Sequence, residues 1–543
     1  MLDAFASAEP VLKNCEPGFS FFFELIRKEC NGEGSRPLHR ICTLMRKMGV
    51  RSFVREDLEK NPELLGEQSD ASIRTRGPAH LKAVRLTFFR DCPANNSWRD
   101  VAADSILGYA VVATLTLPDK TARVYILESV VCPPSLWLGD GNGGLKPEMV
   151  SNYYLHCRRE FVTQVGTKGD TRIFELVGSF FCQQNDLTHV CAHAALRIAV
   201  NSSPAFSGSK LMNSTINTLL NLTHTGDHIV GRYPAPGPSL GVHVPGMVSV
   251  VEQLGWRAHV GDFIQNPAVD YDEFIYPIIE SGCPTILGVQ NYQSAHVFAV
   301  LGHTLNTDRW SPEARQGYGS FPHSPFIPTS AWTDHFIVSD DNFGMYVTVP
   351  TDSIRNLLIP KYNPNLHASV AIGLMPGSVT LNGYRTERLA AFLAAKLVSF
   401  AKAAPGNRWL ALLSGPGERL VCRTFLCDKA RYLAHVKAIE DDQKKKLGAA
   451  EITNLEAALP DAFWTTEITV PNLYCGNKRK VGDLLSRVDG SEVDFGAGKL
   501  AFFGWLPGVS WPQGLLQPPA DWPIFGHVPV LRGASETRQL LEW

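Results

Sequence analysis

The chain has almost no charge imbalance. Its 51 Lys and Arg against 53 Asp and Glu leave a net charge of −2, with a pI near 6.8. No basic stripe follows from such a balance, so nucleic acid and anionic membrane surfaces are not expected partners. The run Lys444-Lys445-Lys446 comes directly after Asp441-Asp442 and reads as a solvated helix face. No apolar run approaches the roughly 20 residues needed to cross a bilayer. Met1 to Phe5 lacks the basic and apolar regions of an export signal. The 12 cysteines have no paired short spacings apart from Cys422 and Cys427. Neither a disulfide framework nor a compact zinc site is therefore expected, and reduced thiols in a cytoplasm are. A glycine-rich loop from Gly139 to Gly144 lacks the Gly-Lys-Ser/Thr ending that cradles phosphate. The calcium-loop pattern is missing as well. No cofactor, no metal and no membrane contact is expected, and there are no internal repeats.

What is present is ordinary globular composition over 543 residues, 44% of them hydrophobic. Three or four domains are expected at that length. The apolar pattern predicts helices from Pro17 to about Leu65, then a polar linker over Glu67 to Gly77. Strands follow at Ala83 to Phe89, Ala110 to Leu117 and Arg123 to Val131, the last two joined by a turn at Pro118-Asp119-Lys120. Later strands are expected at Thr285 to Val289, His296 to Leu301, His335 to Ser339 and Met345 to Val349. From about Leu381 the pattern changes to a charged helical stretch, Tyr432 to Leu459, with strands at Trp409 to Leu413, Leu420 to Leu426 and Thr466 to Val470. Boundaries follow: a helical region over 1–75, a β-rich domain over 76–165, a third domain over 166–378, and an α/β domain of unknown role over 379–543.

Chemistry concentrates in the stretch from Cys182 to Val200. An amide-rich loop runs into an Ala-rich apolar helix, with Cys191 at the junction. A thiol at a helix N-terminus feels unpaired N–H groups and the positive end of the dipole. Both favour the thiolate, the nucleophilic form. A thiolate needs a base and a group to orient that base. His296 heads an apolar strand, and Asp340-Asp341-Asn342 ends a later one. The order is thus Cys191, His296, then an acid at Asp340 or Asp341 that fixes the imidazole tautomer. The alternation His189, Cys191, His193 does not suit a metal, because helical residues two apart do not share a face. His303 reads as structural or surface-exposed.

Cys191-Ala192-His193-Ala194-Ala195-Leu196, preceded by Gln183 and Gln184, resembles the nucleophile helix of papain-like cysteine peptidases, above all the double-glycine, bacteriocin-processing type. His296 to His303 and Ile337 to Gly344 resemble that family's later motifs, and the likeness covers roughly residues 170–375. It implies an α+β, papain-like catalytic domain, flanked by the N-terminal helical and β-rich region and by the C-terminal α/β domain, in a bacterial, cytoplasmic protein. By the same resemblance Cys191 is the nucleophile, His296 the base and Asp340 the orienting acid, with Asp341 as its alternative. Gln184 holds the oxyanion, with Gln183 or Asn185 as alternatives. Two departures stand out. Ala192 replaces the family's usual glycine, and the usual oxyanion-glutamine position is here Asn185 or Asp186.

The expected function is cysteine-dependent acyl transfer, as a peptidase acting on a protein or peptide. The same triad with an amine acceptor makes a transglutaminase-like or acyltransferase-like enzyme. A papain-like domain retained only for binding is the non-enzymatic alternative. The flanks are expected to position a protein substrate or to engage a protein regulator.

Overall fold

The computed structural model describes residues 4–15, 19–30, 34–133, 153–185, 187, 190–221, 242–291, 295–304, 326–351, 367–401, 420–438, 446, 448–471, 474, 480–490, 501–506 and 509–512. The architecture is mixed α/β and is built on three sheets. The first contains β1 (Val11–Asn14), β2 (Ser52–Asp57), β3 (His80–Phe89), β4 (Ile106–Thr116), β5 (Ala122–Val131), β7 (Arg159–Thr167) and β8 (Asp170–Phe181). Their order is β1-β2-β3-β4-β5-β8-β7. The short β6 (Tyr153–Leu155) leaves this sheet and pairs in the second.

This sheet crosses both N-terminal boundaries expected from sequence. Residues 1–75 are not a separate helical region, and the β-rich unit does not stop at 165. Helices α1 (Phe19–Glu29) and α2 (Arg36–Lys47) do form, but β2 interrupts the expected helical stretch. Its alternation is masked because it buries a charge. Glu56 lies inside the sheet and accepts from Arg85 Nε at 2.7 Å and Nη2 at 2.9 Å. The expected linker is instead α3 (Pro62–Thr75), started by Pro62 and capped by Asn61, whose side chain accepts from Leu64 N. Its inner face includes buried Glu67, which accepts from the Tyr125 hydroxyl at 2.9 Å. A helix with a carboxylate on its inner face looks like linker to any test of apolar periodicity.

Helix α4 (Cys191–Ser202) comes next, then α5 (Asn213–Leu219), α6 (Val244–Gln253) and α7 (Tyr271–Glu280). The second sheet contains β9 (Trp256–Asp262), β10 (Thr285–Gln290), β11 (Ala295–Thr304), β13 (His335–Asp340), β14 (Gly344–Pro350) and β15 (His367–Pro376). Every pairing is antiparallel, in the order β14-β13-β11-β10-β15-β9, with β6 also on β11. Helix α4 packs between the sheets, against β8 on one side and β11 on the other. Ala192, Ala194, Ala195 and Ala199 are all buried there. Alanine keeps the helix stable while letting both sheets come close.

The third sheet has the order β12 (Phe326–Pro328), β16 (Leu420–Asp428), β17 (Ala462–Thr469), β18 (Gly482–Ser486), β19 (Ala501–Leu506) and β20 (Val509–Pro512). Its edge strand β12 precedes the expected boundary at 378 and pairs in parallel with β16. The C-terminal region is therefore stitched to the middle of the chain. Helix α8 (Gly383–Ala401) packs on β16 and α7. The single charged helix expected over Tyr432 to Leu459 is two, α9 (Lys429–Ala438) and α10 (Ala449–Ala458). The Gly139 to Gly144 loop, the strand expected at Trp409 to Leu413 and residues 513–543 lie outside the described residues. Among the described residues no helix is long and apolar enough to cross a membrane.

The Arg85–Glu56 pair joins β2 to β3, and Glu56 also accepts from Gly166 N on β7 at 2.9 Å. Removing one partner strands a charge in the core, which costs about 3–5 kcal/mol. Urea unfolding of Glu56→Ala should show a loss of that order, and a midpoint equal to wild type would contradict the arrangement.

Candidate active site

Cys191 is the first residue of α4 and the only residue of that helix not fully buried. The preceding Val190 has no polar side chain with which to cap the helix. The first N–H groups therefore emerge beside the sulfur, where an anion is favoured. Most of the other described cysteines are buried. Burial pushes Cys15, Cys30 and Cys283 up to about 12, and Cys182 up to about 11. The polar residues of α4 that the sequence did not explain are each engaged. His193 Nε2 lies 3.1 Å from Asn217 Oδ1, and Asn201 accepts from Leu211 N at 2.8 Å. Ser202 Oγ accepts from Phe180 N at 2.9 Å, and the Arg197 guanidinium covers the Phe180 ring. These contacts fix the helix against β8 and hence fix where Cys191 sits.

The structure brings Cys191, His296 and Asp340 together. The Cys191 side chain lies near enough to the His296 ring to raise its pKa. His296 Nε2 lies 2.7 Å from Asp340 Oδ2 and 3.6 Å from Asp341 Oδ1. Asp340 is the better-placed acid for a second reason. Its Oδ1 accepts from Asn342 N at 2.8 Å and Phe343 N at 3.1 Å, so the turn after β13 locks the carboxylate. Burial alone would push His296 down, but Asp340, its hydrogen bond, the neighbouring Cys191 side chain and the charge of Asp341 hold it well above the ordinary imidazole value.

The three amide candidates are placed differently. Gln183 Oε1 accepts from Ser35 Oγ at 3.1 Å and from Ile126 N at 3.3 Å. Asn185 is buried, with Nδ2 donating to Glu67 Oε1 at 2.7 Å and Oδ1 accepting from Leu187 N. Its amide donor is directed into the sheet core. Gln184 is half-buried between them. Asp186 and His189 lie outside the described residues.

Sequence reasoning missed the brace behind this site. The β13–β14 hairpin that carries Asp340 is tied to the N-terminal region. Arg40 of α2 donates to the carbonyls of Met345 and Tyr346, and Arg36 lies over the Phe343 ring. Tyr346 has a positive φ of 55°. Its hydroxyl donates to Val131 O at 2.6 Å and accepts from Ser179 N at 2.9 Å, spanning β5 and β8. Gly344 has φ +110°, and a Cβ there would meet Arg40 Cβ at 2.8 Å and Pro37 Cα at 3.2 Å. Among the described residues, two groups bring three ligand-type side chains together: His296 with Asp340 and Asp341, and His156 with Glu280 and His303. In the first, Asp340 and Cys191 already engage the imidazole, an arrangement suited to moving a proton.

Two outcomes are expected. Gly344→Ala should cost more than about 1 kcal/mol in denaturant unfolding, since alanine tolerates neither that φ nor the approach of α2. The raised His296 contributes stability that is fully present below about pH 6.5, its unfolded value, and is lost as pH rises through the higher folded value. The stability gap between wild type and Asp340→Asn should therefore narrow as pH is raised above neutrality. A gap independent of pH would show that His296 is not held protonated by Asp340.

No protein-family model, no curated protein and no solved structure matches this chain.

Proposed function

We propose that the protein is a cysteine-dependent acyl-transfer enzyme, acting as a peptidase on a protein or peptide. The observation that carries the reading is the chain of contacts from Cys191 through His296 to a buried, locked Asp340. A core histidine needs one satisfied partner. This one has a carboxylate on Nε2, and a half-exposed thiol at a helix N-terminus close enough to shift its protonation.

The steps follow from that geometry. With the proton of the pair held on His296, Cys191 Sγ attacks the substrate carbonyl carbon. The carbonyl oxygen takes up negative charge near the open N-terminus of α4, with the Cys191 N–H and the Gln184 amide as the proposed donors. The tetrahedral adduct collapses, the C–N bond breaks, and the leaving amine takes the proton from His296. Water, deprotonated by the now neutral imidazole, attacks the thioester and releases the acid, restoring the proton to His296 and the charge to Sγ. Asp340 keeps the ring oriented and stabilises its charged form. The sequence resemblance of the Cys191, His296 and Asp340 segments to papain-like peptidases supports the same roles. With N-terminal elements bracing the hairpin behind Asp340, the flanks are part of the site's frame, and substrate selection falls to the surfaces around Cys191.

A peptide bearing a thiol-reactive warhead tests this. Mass spectrometry should find rapid modification at Cys191, against a slow background at half-exposed Cys92 and Cys132. His296→Ala should slow it by about 10²-fold or more. Equal slow labelling of all three cysteines would leave a binding module and no enzyme. Incorporation of an added amine in place of water would redirect the reading to transfer.

A further inference from the structure

The second polar cluster lies away from Cys191, at the other end of β11. His303 and Glu280 are wholly withdrawn from solvent, and His156 follows β6 at the sheet's edge. His156 Nε2 lies 3.3 Å from His303 Nε2, and His303 Nε2 lies 2.9 Å from Glu280 Oε1. All three ligand-type atoms fall within 4.8 Å of one another. Zinc–nitrogen bonds of 2.0–2.1 Å at tetrahedral angles put ligand atoms about 3.3 Å apart. The two imidazoles already have that spacing, and the carboxylate oxygen needs to open by only about 0.4 Å from His303.

The surroundings support a ligand set. His303 Nδ1 lies 2.9 Å from the Thr304 carbonyl, so it carries the proton and turns Nε2 toward the cluster. Glu280 Oε2 is taken by the Arg423 guanidinium, which orients the carboxylate and presents Oε1. The Tyr276 ring packs 4.8 Å from the His303 ring, centroid to centroid, and fixes its plane. The backbone is also specialised. Phe298 and Val300 face the α7 core, so strict alternation would send His303 to the opposite face. A register shift between Val300 and Gly302 re-aims it toward α7 and Glu280. Gly302 lets β6 close in beside it, since a Cβ there would meet Tyr154 O at 2.1 Å.

We propose that His156, Glu280 and His303 form a binding site for one divalent transition-metal ion, best suited to zinc, that fastens β6, α7 and β11 together. Two imidazoles and one carboxylate are a borderline-hard N/O set, which favours zinc over calcium or magnesium. The site is independent of the acyl-transfer centre and stands whether or not that reading holds.

The test strips the full-length protein with a chelator and titrates it with Co2+, then with Zn2+. Visible d–d absorption should saturate near about one equivalent and be displaced by Zn2+. It should vanish in His156→Gln, the least buried ligand, and persist in His296→Gln. Absence of saturable absorption, its survival in His156→Gln, or its loss in His296→Gln would overturn the proposal. The first of these leaves a hydrogen-bonded histidine–glutamate cluster. Should His156→Gln fail to fold by circular dichroism, X-ray absorption on zinc-loaded wild type decides. Nitrogen and oxygen neighbours at about 2.0–2.1 Å with imidazole scattering support the site, and a sulfur shell near about 2.3 Å overturns it.

Discussion

Asp340 is fully buried, and a carboxylate removed from water costs several kcal/mol unless its oxygens are matched. One oxygen is met by two backbone N–H groups of the following turn, the other by His296. That requirement fixes the turn, the turn fixes the hairpin, and the hairpin fixes the imidazole. Neighbouring Asp341 is also buried and close to the ring, adding negative charge on the same side. The Asp340 pairing then accounts for why a histidine so withdrawn from water is held above its ordinary value: the desolvation that would neutralise it is outweighed by a charge at hydrogen-bond distance.

A turn is soft, and this one is held by parts of the chain far away in sequence. Arg40, Arg36 and the Tyr346 hydroxyl connect the hairpin to α2, β5 and β8. On the other side α4 is wedged between β8 and β11, so the sulfur and the imidazole are referenced to the same two sheets. Preorganisation of this kind matters because a reacting pair misplaced by an ångström loses much of its advantage. Helix α2 and strands β5 and β8 are thus structural to the site.

The sequence was legible where one rule governs one segment. The Ala-rich helix beginning at Cys191, the strand headed by His296 and the strand ending at Asp340 all carry clean periodicity, and their positions agree with α4, β11 and β13. The turn at Pro118-Asp119-Lys120 likewise joins β4 to β5. It failed where burial is polar. Glu56 in β2 and Glu67 in α3 sit on inward faces, satisfied by Arg85 and by Tyr125 with Asn185, and no local pattern announces a partner 29 or 58 residues away. The domain boundaries failed for a related reason, since β1, β2 and β12 are recruited by pairing with distant strands. Gln183 and Asn185 could not be separated from Gln184 by spacing alone; their long-range hydrogen bonds make the distinction.

Strand β11 carries the logic of the middle of the molecule at both ends. At its start His296 meets Asp340, and beyond its bulge His303 meets Glu280 and His156. Between them, Phe298 and Val300 fill one core while Ala299 and Leu301 fill the other. The apolar middle makes the strand rigid in register, because a slip of one residue would exchange the two faces and bury both histidines wrongly. Arg423 then extends the far end through Glu280 to Glu467 on β17. The C-terminal sheet is accordingly tied by ion pairs to the strand that bears His296, so loss of Glu280 would be felt across the boundary between the second and third sheets as well as beside His303.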